Sequence, residues 1–228
     1  MLPAAAGCSS DFPTLGVSPA FLRAMKAQWG ETYKGWTTEQ TCQQLLKSLT
    51  CRSRGSVCSD LQAQGSSDVG QANVFLSHTW SSLFSDTVDA VLALVEGQAQ
   101  AAWDDTFIWF DVFSTSQHTA IDRPSSWWMG VFKSSIEKMG QLAMVLQPWD
   151  DPAALKRAWC VLELYSCAST GGRFHVIMPP AERKRYLKQS TDVGAFRMML
   201  SRVNTKEATC SRESDRVSAC VLLVIIYC

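Results

Sequence analysis

The stretch "NVFLSHTW", residues 73–80, decides how the chain is read. Val74, Phe75 and Leu76 form a short apolar run bounded by Asn73 and by Ser77 and His78, the pattern of a buried strand. Three similar runs follow: "TFIWFDVF" at 106–113, "QLAMVLQ" at 141–147 and "RFHVIMP" at 173–179. The runs open at 73, 106, 141 and 173, so the intervals are 33, 35 and 32 residues. Each interval holds one helical pattern. In "LFSDTVDAVLALVEG", Phe84, Val88, Val91, Leu92 and Val95 share one face. "SWWMGVFKSSIEKMG" has Ser125 or Ser126 as cap and Gly140 as stop. "PWDDPAALKRAWCVLELYSCASTGG" predicts one helix from 152, with Asp151 as cap, Pro152 at its first position and Gly171 beyond its end. Its expected core stripe is Leu155, Ala158, Trp159 and Leu162.

Strand–helix alternation at this interval predicts right-handed βαβ units and a parallel sheet. The expected class is α/β: a flavodoxin-like parallel sheet of about five strands with helices on both faces, preceded by a helical N-terminal lead-in. Sites in such sheets form beyond the carboxyl ends of the strands. That rule selects Ser77 to Trp80, Asp111 to His118 and Pro148 to Asp151.

Outside the rhythm, residues 1–17 are small, Pro- and Ser-rich, and read as disordered. "SPAFLRAMKAQWGETY" predicts a helix opened by Ser18 and Pro19. "TTEQTCQQLLKSLT" predicts a second, capped by Thr37 or Thr38, with Cys42, Leu45, Leu46 and Leu49 on one face. Residues 51–71 read as a loop-rich connector, and "PAERKRYLKQ" begins another helix. The expected division is a disordered start and helical lead-in at 1–70, an α/β core at 71–180, and a helical C-terminal extension at 181–228.

The 228 residues are 46 % hydrophobic and 18 % charged, with 21 Lys plus Arg balancing 21 Asp plus Glu. No basic field exists to hold nucleic acid or an anionic membrane surface, so neither is an expected partner. The nine Cys, at 8, 42, 51, 58, 160, 167, 210, 220 and 228, form no C-x-x-C pair and have no His at zinc spacing. Scattered thiols in odd number predict a reducing, cytoplasmic setting with no disulfide and no metal. The start lacks the basic and apolar regions of a signal peptide. The apolar tail "VLLVIIYC" has eight residues, where a membrane helix needs about 20.

The candidate site residues are polar groups at strand ends. Ser77, His78 and Trp80 leave the first strand; Asp111, Gln117 and His118 leave the second into a long loop at 113–125. For Ser77 and His78 the residues alone equally allow a turn that satisfies exposed backbone groups. The chain contains no G-x-G-x-x-G, no G-x-x-x-x-G-K-[ST] and no G-x-S-x-G. Glu163 is a single carboxylate among Trp159, Cys160, Val161, Leu162 and Leu164. Carboxylates are seldom buried without a partner, so Glu163 either reaches solvent beside a cation or lines a site that uses its charge.

"VFLSH" at 74–78, followed by a helix bearing W-C-x-x-E-L at 159–164, resembles the Toll/interleukin-1 receptor (TIR) domain family. "FLSHTW", "WFDVFSTSQH" and "PWDDPAALKRAWCVLEL" look most like TIR-like proteins of algae, protists and other microbial eukaryotes. The resemblance covers about 70 to 180. The loop after the second strand keeps only Asp122, Arg123 and Pro124 of the family's R-D-x-x-P-G type pattern. The resemblance implies NAD⁺ as substrate, with no further cofactor, and assigns the catalytic carboxylate to Glu163. Ser77, His78, Trp80, Asp111, Gln117, His118 and Trp159 are then the substrate-binding candidates. It also implies self-association, and a non-catalytic signalling module that works by self-association is the alternative reading.

Overall fold

The computed structural model describes residues 13–96, 105–119 and 125–189 together with Gly194, of which 125–131 are described as backbone. Its order is β1 (Leu15–Val17), α1 (Pro19–Trp29), α2 (Thr38–Thr41), a π turn at Cys42–Leu46, and α3 (Lys47–Leu49). Next come α4 (Val57–Ala63), β2 (Val69–Gln71), β3 (Val74–Ser77), α5 (Phe84–Glu96), β4 (Ile108–Trp109) and α6 (Asp111–Ser114). Then follow α7 (Ser125–Met139), β5 (Gln141–Val145), a 3₁₀ turn at Ala153–Lys156, α8 (Ala158–Ser169), β6 (Arg173–Ile177) and α9 (Pro180–Gln189).

The chain is an α/β protein with a six-stranded sheet in the order β2-β1-β4-β3-β5-β6. The four strands of the repeating rhythm are mutually parallel, in the spatial order second, first, third, fourth of a flavodoxin-like sheet. Helices cover both faces. Val74 and Leu76 point with Ile108, Ala143 and Val145 toward Leu22 and Met25 of α1 and the buried stripe of α5. Phe75 points the other way, with Trp109 and Leu142, against Phe132, Ile136 and Met139 of α7 and Cys167 of α8. The strict alternation along β3 follows from strand geometry. All four of its residues are buried because both faces are covered.

The lead-in departs from expectation. Residues 15–17, read as part of a disordered start, form β1, and the connector at 51–71 contains both α4 and β2. β1 pairs antiparallel with β2 and with Ile108 of β4, extending the sheet past its parallel strands. Gly16 permits this crossing: a Cβ there would sit 2.7 Å from the Ile108 carbonyl. Such three-residue strands carry too little periodicity to be legible alone. The caps behave as read. Ser18 accepts from the Phe21 amide at 3.0 Å with Pro19 at the first position. Thr37 and Gln40 form a reciprocal capping box. Cys42 and Leu46 are buried, whereas Leu49, placed on the same face, is exposed.

Two elements are shorter than predicted. The second strand stops at Trp109, because Phe110 turns the chain into α6, where the Val112 amide bonds the Asp111 carboxylate at 2.8 Å. The helix predicted from 152 begins at Ala158. Pro152 is extended and a 3₁₀ turn follows. Arg157 returns to extended backbone (φ −105°, ψ 125°) before α8 begins. Asp151 caps nothing and instead pairs with Lys156 at 2.5 Å. Of the predicted stripe, Leu155, Ala158 and Leu162 are buried but Trp159 is only partly so, because it lies against Phe132 of α7. Gly140 and Gly171 end α7 and α8 with φ of +71°, the left-handed conformation glycine adopts without strain. Asp122, Arg123, Pro124 and the tail from Val221 lie outside the described residues.

Candidate functional site

The carboxyl end of β3 passes between α6 and α8, and the polar candidates meet there. Because successive strand residues face opposite ways, Ser77 turns toward α8 and His78 toward α6. The His78 ring lies edge-on to Phe110 with centroids 4.8 Å apart. Its Nε2 is 2.9 Å from Asp111 Oδ1. The Trp80 indole Nε1 donates to Asp111 Oδ2 at 2.6 Å. With the Val112 amide, three donors therefore engage Asp111. Burial alone would raise this carboxyl; the charge and hydrogen bond of His78, the indole and the amide outweigh it and hold Asp111 below the usual carboxylate value. An ionised carboxylate only accepts, so His78 Nε2 is the donor. The other nitrogen, Nδ1, is buried without a hydrogen-bond partner.

On the opposite side stands Glu163, one and a half turns into α8 and 8 % exposed. Burial pushes its carboxyl up to about 8; Ser77 eases this, Asp111 adds to it, and Arg157 at the helix start opposes it. The Ser77 hydroxyl faces both Glu163 and the Cys160 thiol. No contact reaches full hydrogen-bond geometry, and Ser77 Oγ and Glu163 Oε2 both remain buried without a partner. Cys160 donates to the His78 carbonyl at 3.5 Å, tying α8 to the strand end. Burial pushes its thiol up to about 12, so it is not a nucleophile at neutral pH. The Glu163 carboxyl is thus neither an exposed ion pair nor a satisfied buried group.

The structure brings together Ser77, His78, Trp80, Asp111 and Glu163. It assigns the remaining candidates elsewhere. Gln117 donates to the Asp111 carbonyl at 2.9 Å and the Thr115 carbonyl at 3.0 Å, and accepts from Cys42. His118 Nε2 is 3.0 Å from the Thr50 hydroxyl. Both residues fasten the loop to the lead-in helices. Trp159 packs at 5.6 Å on Phe132. The third strand end is also structural: the Trp149 amide bonds Glu182, its indole bonds Gln189, and Asp150 pairs with Arg185, docking α9. Sequence reasoning missed Arg157 and Cys160. The W-C-x-x-E-L box contained Cys160, but only the register of α8 turns it toward His78.

Among the described residues, no group of three or more His, Cys, Asp or Glu is arranged to hold a metal ion. Cys42, Cys51, Cys58, Cys160 and Cys167 are free thiols. No described helix is long and apolar enough to cross a membrane. Fold and site together define a flavodoxin-like α/β protein in which, at the carboxyl end of the first parallel strand, the buried Glu163 carboxyl keeps Oε2 without a hydrogen-bond partner. Comparison of the chain with family models, curated proteins and solved structures finds no match.

Proposed function

We propose that the chain is a TIR-like NAD⁺ glycohydrolase, or producer of an NAD⁺-derived signal, in which Glu163 stabilises the positive charge that develops on the ribose. One observation carries the reading: Glu163 is buried at a strand end with Oε2 left without a hydrogen-bond partner. A group in that state gains from a cationic ligand what the protein itself does not supply. The chemistry needs only one carboxylate. Nicotinamide leaves NAD⁺ as a neutral molecule that takes the electrons of the C–N bond, so no acid is required to protonate it. The charge left on the ribose is met by Glu163 until water adds to C1′. Ser77, His78 and Trp80 border the same strand end. The proposed setting is cytoplasmic, with self-association part of the activity.

The test is incubation of the purified protein with NAD⁺ at several protein concentrations, with free nicotinamide as readout. Release that disappears in Glu163→Gln supports the reading; absence of release at every concentration overturns it. One observation favours the non-catalytic, self-associating alternative. Among the described residues, β6 forms one border of the sheet, with Phe174 42 % and Val176 36 % exposed. Light scattering across a concentration series, with and without Val176→Lys, tests that reading.

A further inference from the structure

Among the described residues, β3, β4 and β5 are buried for almost their whole length, whereas β6, at the border of the sheet, is exposed at Arg173, Phe174 and Val176. The Arg173 amide donates to the Gly140 carbonyl at 2.9 Å, and the Ile177 carbonyl accepts from the Leu146 amide at 3.0 Å. The backbone groups of residues 173, 175 and 177 therefore point at β5, and strand alternation turns those of Phe174 and Val176 toward the border. Their side chains share a face with Leu142 and Met144, their partners in register. Residues 174–177 include no Lys and no Pro, and the register runs through them without a bulge, so the usual guards of a sheet border are missing.

The tail "VLLVIIYC", residues 221–228, lies outside the described residues and has the composition to cover this border. Val221, Val224, Ile225, Ile226 and Tyr227 are of the types enriched in strands, and the run contains no charge, Pro or Gly. Extended, eight residues span about 26 Å, more than the five residues of β6 require. The tether to the tail, residues 190–220, starts at the end of α9, where Gln189 accepts from the Trp149 indole at 3.2 Å beyond the carboxyl end of β5. A random chain of that length reaches about 30 Å, which brings the border of β6 within range. We propose that residues 221–228 add to the sheet as a strand on the outer side of β6, pairing with the backbone groups of Phe174 and Val176 and covering their side chains. Both alternate sets of the tail are apolar, Leu223 and Ile225 in one and Val224 and Ile226 in the other, the pattern of a strand covered on both faces. The tether decides between this occupant and a second copy of the chain. It holds the tail near β6 at an effective concentration on the order of 1 mM, which a second copy matches only in millimolar protein.

This inference goes beyond the proposed function and does not depend on it. The test is amide hydrogen exchange of the full chain at two protein concentrations, in the wild type and in the double variant Val224→Lys, Ile225→Lys, which puts a charge on each face of the tail. In the wild type the Phe174 and Val176 amides should be protected equally at both concentrations. In the variant they should exchange at least about tenfold faster, while the Arg173 and His175 amides, which face β5, change little. Outward amides that exchange alike in the two proteins overturn the proposal. Protection that grows with protein concentration and ignores the tail substitutions gives the border to a second copy and also overturns it. If the inward amides open as well, the variant has disturbed the fold, and Val176→Lys decides from the other side. The amides of 222–227 should then lose protection, and unchanged exchange there overturns the proposal.

Discussion

The α6 side and the α8 side of the β3 terminus each hold one carboxyl, and the two reach opposite states within a single strand end. On the α6 side, Asp111 is saturated by His78, Trp80 and the Val112 amide and stays ionised. On the α8 side, Glu163 has Ser77 near it but an unpartnered oxygen, and resists ionisation. The difference lies in donors, since burial acts on both in the same direction. A loop turning directly off a strand offers amides and flanking side chains, as α6 does to Asp111. A position midway along a helix offers none, because the amides there are already bonded within the helix. The two carboxyls are thereby driven apart, Asp111 below and Glu163 above the ordinary carboxylate value.

The sharpest way to break the comparison is to remove the Glu163 carboxyl. Glu163→Gln should lower NAD⁺ turnover at least about 10²-fold, the scale of losing one preorganised electrostatic group, as read from nicotinamide release at high protein concentration. Unchanged turnover would place the chemistry elsewhere.

The same variant separates the carboxyls by stability. Because the folded-state value of Glu163 is raised from 4.5 to about 8, the folded protein binds more protons than the unfolded chain between those values. Stability should therefore be unaffected by this group below pH 4.5, fall as pH rises from there to 8, and level off above. The slope is at most about 1.4 kcal/mol per pH unit. Denaturant melts at pH 5 and 8 should show this fall in the wild type and a flatter profile in Glu163→Gln.

Removing the Asp111 carboxyl should act in the opposite direction. Asp111→Ala strands the donors of His78, Trp80 and Val112 and should cost about 3 kcal/mol near neutral pH, read as a lower denaturant midpoint. Asp111 gains its stabilisation above the unfolded carboxylate value. The loss should therefore shrink as pH falls through the depressed folded value.

Trp159→Ala tests the helix between the two. A fully buried Trp would cost roughly 3–5 kcal/mol. Trp159 keeps an exposed edge, so about 2 kcal/mol is expected, mostly from its contact with Phe132. The smallest effect belongs to Gln117→Ala, which removes the bonds to the Asp111 and Thr115 carbonyls. It should cost about 1 kcal/mol and leave nicotinamide release unchanged, since Gln117 faces the lead-in. A large loss of turnover would bring the loop into the site.

The sequence by itself determined the βαβ rhythm, the parallel sheet, the caps at Ser18 and Thr37, the stops at Gly140 and Gly171, and the strand end where polar residues gather. Those features are local: periodicity, cap chemistry and left-handed glycine are written in neighbouring residues. It also singled out Glu163, because a carboxylate within an apolar helix is anomalous on inspection. The tertiary structure alone decided the rest. Short strand β1 exists because β4 offers it a sheet border and β2 because β1 then does, and α8 starts at Ala158 because Arg157 is held extended. Asp111, Gln117 and His118 leave the same strand with similar polarity. One meets donors from β3 and its following turn, while the others meet carbonyls and hydroxyls of the lead-in and the loop itself. Which partner a polar group finds depends on contacts between residues 31 to 68 positions apart in the cases of Trp80–Asp111 and Thr50–His118. No local pattern encodes such distances, and so the charge on each carboxyl is a property of the folded molecule.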